Sequence, residues 1–294
     1  MTEYVDVVPL LTASLVFLAI MSLVFGIGLA LTARKFYVKS DPKVEQITEA
    51  LAHAHCGACG FAGCEQYAEA VVNQPDIAPN LCTAGGKQCT DLIAQLTGKL
   101  PQAREAFSAR IMCQGSPDKA QKRFSYEGFK DCRAAVLAGG GDKACPYGCL
   151  GYGTCVRVCP FGALSMGENG LPVVDEKKCT ACKKCVAACP KKVIEIFPAS
   201  ARILVACHSK DKGGVTRKYC TVGCTGCLKC VKVCPVAPVK AVNVENNLSR
   251  INNALCTACG QCVADCPTKS IVDFVSQRGK VFVIKERSPN GKSI

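Results

Sequence analysis

The chain opens with one uninterrupted apolar stretch: from Val7 to Ala33, 27 residues, nothing is charged. That exceeds the roughly 20 residues a helix needs to cross a bilayer, so the pattern predicts a single spanning helix. Glu3 and Asp6 precede it, and Arg34, Lys35 and Lys39 follow. The positive-inside rule therefore predicts an outward N-terminus, with everything after the helix in the cytoplasm. A cleaved signal peptide would want a basic start and a shorter apolar run. Ser22, Gly26 and Ala30 repeat every fourth residue, a small-residue face that lets another membrane helix approach closely.

Beyond the helix the apolar residues come in short pieces. Gly162-Ala163-Leu164 and Val193-Ile194-Glu195-Ile196 read as strands, and Cys64 can open a helix over Glu65 to Val72. Arg110-Ile-Met-Cys113 and Arg202-Ile-Leu-Val-Ala-Cys207 each read as a strand ending in cysteine, and each is followed by a second cysteine, Cys132 or Cys220, ahead of a cysteine-dense segment. This is an internal repeat. If the two strands lie side by side, they form a small α/β platform carrying the dense segments as insertions. The expected fold class is α+β, with these parts: 1–34 anchor, 35–100 small cluster domain, 101–140 platform, 141–198 module, 199–220 platform, 221–275 module and 276–294 tail.

Cysteine content changes the picture most. There are 25, of which 18 follow position 140. Disulfide scaffolds are short secreted chains, whereas tight C-x2-C-x2-C spacing suits metal ligation. Three segments share the pattern C-x2-C-x2-C-x3-C-P: Cys179, Cys182, Cys185, Cys189; Cys224, Cys227, Cys230, Cys234; and Cys256, Cys259, Cys262, Cys266. Three cysteines so spaced wrap a 4Fe-4S cluster, and the fourth ligates the other cluster of a pair. A looser run, Cys145, Cys149, Cys155, Cys159-Pro160, keeps the C-x3-C-P ending. Crossed ligation then predicts Cys145, Cys149 and Cys155 with Cys189; Cys179, Cys182 and Cys185 with Cys159; Cys224, Cys227 and Cys230 with Cys266; and Cys256, Cys259 and Cys262 with Cys234.

Behind the anchor, Cys56-Gly-Ala-Cys59-Gly-Phe-Ala-Gly-Cys64 and Cys82 supply a further set, with glycines that permit close approach and positive dihedrals. Zinc is the alternative occupant there. His53 and His55 read as structural and Cys89 as a small buried thiol. The remaining Cys113, Cys132, Cys207 and Cys220 would hold a sixth 4Fe-4S cluster; without them the number is five.

The formal charge of +13 also admits a zinc-rich nucleic-acid-binding protein. The proline-terminated runs, the apolar anchor and the lack of aromatic interleaving oppose it, and the negative charge of the clusters themselves offsets the count. Electron relay through 4Fe-4S clusters is the expected chemistry, with no catalytic residue and no G-x-G-x-x-G nucleotide turn. Lysines and arginines crowd the cluster loops, namely Lys177, Lys178, Lys183, Lys184, Lys191, Lys192, Lys210, Lys212, Arg217 and Lys218. They would steer an acidic protein or simply solvate the surface.

The order of parts, anchor, Cys56 to Cys64 motif, Lys143-Ala-Cys145-Pro-Tyr-Gly-Cys149-Leu-Gly-Tyr-Gly-Thr-Cys155 and the later runs, resembles the B subunits of Rnf complexes over nearly the whole chain. Those complexes are membrane-bound ferredoxin:NAD oxidoreductases that couple electron flow to sodium or proton transport. The resemblance implies a long-type electron-transfer subunit of a translocase, in the cell membrane. Its partners would be soluble ferredoxin and the A, C, D, E and G subunits, with NAD and flavin chemistry elsewhere. A polyferredoxin subunit of another membrane system, such as a hydrogenase or quinone reductase, remains the nearest alternative.

Overall fold

The computed structural model describes residues 7–36, 41–103 and 105–274; Glu3, Asp6, Lys39 and the 276–294 tail lie outside them. The chain divides into two compact units, 1–46 and 47–294. In the first, α1 (Val7–Lys35) is one continuous helix, and its stretch Leu11–Lys35 has a mean hydropathy of 2.5. Its hydroxyls turn back onto its own carbonyls: Ser22 Oγ donates to Leu18 O at 2.8 Å and Thr32 Oγ1 to Gly28 O at 3.0 Å. A helix apolar on every side, with its polar groups satisfied internally, suits a bilayer.

A second helix, α2 (Pro42–Ala50), leads into the larger unit, where α3 (Cys64–Asn73) and α4 (Gly86–Thr97) follow. Ile47, Tyr67, Val71 and Ile93 are fully buried there. Tyr67 is buried with its hydroxyl satisfied, donating to Ala78 O at 3.0 Å and accepting from Leu81 N at 3.3 Å. Lys99 Nζ donates to the carbonyls of Val71, Gln74 and Ile77, closing the carboxyl end of α3, where a cation is favourable.

The rest of the unit comprises two similar halves, and each is closed by the strand that leads into it. In the first half β1 (Phe107–Ile111) enters, α5 (Cys132–Leu137) and α6 (Thr154–Arg157) follow, then the hairpin β2 (Leu164–Met166) and β3 (Pro172–Val174), α7 (Lys184–Ala188) and β4 (Ile194–Pro198). In the second, β5 (Ile203–Val205) enters, followed by α8 (Gly213–Tyr219), α9 (Lys229–Lys232), the hairpin β6 (Val242–Glu245) and β7 (Leu248–Ile251), α10 (Gln261–Ala264) and β8 (Ile271–Asp273).

The register pairs Ile111 with Ile194 in one half and Val205 with Ile271 in the other, both antiparallel. The expected platform of β1 beside β5 is therefore not formed. Each strand instead covers its own cysteine-rich core: Ala109 and Ile111 pack with Cys149, Cys155 and Cys185, and Ile203 and Val205 with Cys224, Cys230 and Cys262. Pairing the two strands to each other would uncover both cores.

The halves meet through backbone contacts. Gln121 N donates to Tyr219 O at 2.8 Å and Thr221 N to Lys119 O at 2.9 Å, and Gln114 Nε2 donates to Lys269 O at 3.0 Å. Glu195 of β4 reaches Arg250 of β7 at 3.1 Å and His208 Nδ1 at 3.4 Å.

Candidate metal centres

The four cysteine runs share one loop geometry. Gly151, Ala181, Gly226 and Ala258, each two residues after Cys149, Cys179, Cys224 or Cys256, have φ of 80°, 55°, 63° and 55°. Gly153, Lys183, Leu228 and Gly260 repeat the left-handed turn two residues later, with φ of 71°, 64°, 63° and 80°. Two such turns in five residues curl the backbone round a point. Left-handed alanine, lysine and leucine are costly and persist where the surroundings over-determine them.

The thiols gather in fours. Cys56, Cys59, Cys64 and Cys82 line one cavity behind the anchor. Cys159, Cys179, Cys182 and Cys185 line a second, and Cys224, Cys227, Cys230 and Cys266 a third, all as the spacing predicts. Cys262 lies among Cys256 and Cys259, and Cys234 and Cys256 pack into the same core.

Two groups differ from the expectation. Cys132, and not Cys145, lines the cavity with Cys149, Cys155 and Cys189. Cys145 instead lines a cavity with Cys113, Cys207 and Cys220. The cause is local. Asp131 caps α5, accepting from Arg133 N at 2.8 Å, while Thr154 Oγ1 donates to Asp131 and accepts the Cys132 N–H at 2.8 Å. Despite its desolvation, hydrogen bonds from Thr154, the Arg133 N–H and Arg157 hold the Asp131 carboxyl down at about 2. Cys132 is thereby fixed beside Cys155. The signal was present in the sequence: Cys149-x5-Cys155 is the standard spacing with Tyr152 in the middle place, and Cys145-x3-Cys149 is matched by Cys220-x3-Cys224.

The donor set fits iron–sulfur clusters. Among the described residues no group of three Cys, His, Asp or Glu side chains stands close enough to hold one ion, as a tetrahedral zinc site with bonds of about 2.3 Å would need. The cysteines instead surround open cavities, as a multi-atom centre requires. All 25 cysteines are free of disulfides. Burial pushes the Cys145, Cys155 and Cys262 thiols up to about 11, and Cys185 and Cys207 to about 12. Only a strongly cationic occupant would draw off those protons, and binding would release them.

Sulfurs also accept hydrogen bonds: Ala163 N donates to Cys159 at 3.3 Å, Ala109 N to Cys179 at 3.4 Å and Ser249 N to Cys224 at 3.5 Å. At the anchor site Gly57 and Gly60 adopt φ of 74° and 92°. His55 Nδ1 accepts from Cys64 N at 3.4 Å, a structural role. Cys89 is buried outside that cavity, and its hydrogen bond to Cys82 holds the Cys82 thiol below its ordinary range.

Paired ferredoxin-type halves, a smaller cysteine-lined domain and one long apolar helix together define a multi-cluster iron–sulfur electron carrier. Models of a 4Fe-4S dicluster domain match residues 144–194, 178–238 and 218–267, and a model of a putative Fe-S cluster matches 51–84. The B subunit of the proton-translocating ferredoxin:NAD(+) oxidoreductase complex of Clostridium ljungdahlii is 47% identical over 264 residues, covering 89% of this chain and 92% of that one. The Na(+)-translocating counterpart of Acetobacterium woodii is 44% identical, covering 86% and 75%. The B subunit of the ion-translocating oxidoreductase complex of Methanosarcina acetivorans is 41% identical, covering 88% and 96%. The chain belongs to this family, the B subunits of ion-translocating ferredoxin:NAD(+) oxidoreductase (Rnf) complexes.

Proposed function

We propose that this chain takes electrons from reduced ferredoxin and relays them through 4Fe-4S clusters to other subunits of an Rnf complex. There they reduce NAD and drive Na+ or H+ translocation, and the flow is reversible. The observation that carries the reading is the gathering of 20 cysteines into five cavities, four to each, with Cys262 among Cys256 and Cys259 beside them. The bound clusters supply one-electron carriers at low potential; the protein holds, spaces and tunes them.

The relay has a contact at its anchor end. Thr83, next to Cys82, donates through Oγ1 to Thr180 O at 2.8 Å, between Cys179 and Cys182. The helix α1 crosses the membrane once, with the N-terminus outside and the cluster domains in the cytoplasm, where ferredoxin is found. Lys177, Lys178, Lys183, Lys192, Lys210, Lys212, Arg217 and Lys218 are exposed and available to an acidic partner. Lys191, by contrast, is engaged with Gly140 O and Pro146 O at 2.8 and 2.6 Å, and Lys184 with Ala54 O at 3.4 Å.

The first test is iron, acid-labile sulfide and zinc on anaerobically purified protein. About 24 irons with equal sulfide are expected from six clusters; mainly zinc with little sulfide overturns the relay. The second is the rate of reduction by ferredoxin against ionic strength. A steep fall with salt is expected from docking charges, and a flat response removes the lysine-rich surface as the docking site.

A further inference from the structure

We infer that one cluster is shared between the two halves, held by Cys113 and Cys145 from the first and by Cys207 and Cys220 from the second, and that Cys132 stands in for the run cysteine the first half lacks. The inference rests on the iron–sulfur reading above and deepens it.

The repeat places the ligands in pairs. Cys113 follows β1 as Cys207 follows β5, and Cys145 precedes Cys149 by four residues as Cys220 precedes Cys224. Each pair has the same surroundings. Cys149 N donates to Cys113 Sγ at 3.4 Å, and Cys224 N donates to Cys207 Sγ at 3.2 Å. A glycine precedes Cys149 and Cys224 alike, and both are closely packed: a Cβ on Gly148 would stand 2.9 Å from Lys143 Cδ, and one on Gly223 would meet Thr216 Cγ2 closer still. The four thiols line one cavity whose other walls include Gly115 and Ala206. Beside it is Lys143, 6% exposed, its Nζ held by Gly115 O and Cys149 O. A fixed buried cation offsets the charge of an anionic cluster.

Cys132 follows from the same superposition of runs. Counting from Cys149, the place held by Cys182, Cys227 and Cys259 in the other runs falls on Tyr152. Tyr152 does not line the cavity of Cys149, Cys155 and Cys189; its ring packs on Tyr126, centroids 5.5 Å apart. Cys132 lines that cavity in its place.

The shared cluster gives the relay its crossing point. Cys149 holds a cluster of the first half and its N–H touches Cys113; Cys224 holds a cluster of the second half and its N–H touches Cys207. A cluster held by these four cysteines would let one electron pass between the halves, each centre being oxidised as the next is reduced.

The test uses the full-length chain, purified anaerobically, with iron and sulfide as readouts and the wild type alongside. Cys145→Ser and Cys220→Ser should each remove one cluster, about 4 irons, and the double variant should lose no more than either single. Cys132→Ser combined with Cys145→Ser should remove two. The opposite pattern, in which the Cys145/Cys220 double loses two clusters, overturns the inference. Tyr152→Cys restores the standard run, so it should rescue Cys132→Ser and not Cys145→Ser. Should the single variants not accumulate, recovery of soluble brown protein carries the same discrimination, and its failure in the Cys132→Ser background counts against the proposal. A wild type without iron and sulfide would instead sink the relay itself.

Discussion

The backbone N–H of Cys224 donates to the sulfur of Cys207 across 3.2 Å. A donor aimed at a sulfur stabilises the more negative, reduced cluster and raises its potential. Cys149 and Cys113 repeat the contact at 3.4 Å, so both donors act on the one shared cluster. Between the equivalent clusters of the two halves, side chains near the sulfurs make a difference.

Two serines supply it. Ser249 Oγ lies 3.3 Å from Cys230 Sγ and Ser270 Oγ 3.3 Å from Cys266 Sγ. Pro172 and Val193 hold the corresponding places in the first half, lining the cavity of Cys132, Cys149, Cys155 and Cys189. A hydrogen bond worth ~0.5–1.5 kcal/mol converts, at 59 mV per factor of ten for one electron, to roughly 20–60 mV. Ser249→Ala and Ser270→Ala should each shift one reduction step by that amount to more negative potential in an EPR-monitored titration. A step that stays in place would show that these hydroxyls do not tune the cluster.

Glycine at the first left-handed turn is required where the hairpin packs close. A Cβ on Gly151 would sit 2.5 Å from Gly170 O and one on Gly226 2.9 Å from Asn247 O, whereas one on Gly260, at the second turn, meets nothing within 4 Å. Gly151→Ala should therefore destabilise by about 2–4 kcal/mol, strain plus clash, and Gly260→Ala by only about 1 kcal/mol. Denaturant midpoints of the holoprotein read the order; equal losses would remove the clash from the account.

The Glu195, Arg250 and His208 group joins the halves but is partly exposed, with side-chain accessibilities of 30%, 40% and 15%. Exposed pairs contribute ~0–1 kcal/mol. Glu195→Gln should lower stability by less than about 1 kcal/mol and leave iron content unchanged. A loss of iron would mean that the ion pairs, and not the cysteines, hold the halves together.

Iron removal should act on the two halves far more than on the anchor domain. In the second half, Cys224, Cys230, Cys234, Cys262 and Cys266 make up five of the eleven residues in the buried core. The helices around Tyr67, Ile93 and Ile47 bury apolar side chains of their own. Chelation should abolish the strand signal in circular dichroism while helical signal survives; a parallel loss of both would show that the anchor domain also depends on its metal.

What the sequence made legible followed chemistry of short range. The C-x2-C-x2-C-x3-C-P spacing placed Cys179 with Cys182 and Cys185, and Cys266 with Cys224, because a run brings its own loop to the cluster. Cys132 and Cys145 were exchanged for the opposite reason. Both precede Cys149, and which one reaches Cys155 depends on the Asp131 cap and on Thr154, contacts 22 and 23 residues apart in the chain. The pairing of β1 with β4 and not with β5 was hidden likewise, since strands as short as Ile203–Val205 carry no register signal beyond their own alternation.

The cavity of Cys113, Cys145, Cys207 and Cys220 also has a timing. Cys145 and Cys220 are 75 residues apart in the sequence, so at about 5–20 residues per second the ribosome delivers the later thiol roughly 4–15 s after the earlier one. Through that interval the nascent chain carries half a site. Two thiols wait without their counterparts, open to oxygen or to a stray zinc ion, and the chance that they find iron depends on how quickly the second half is translated.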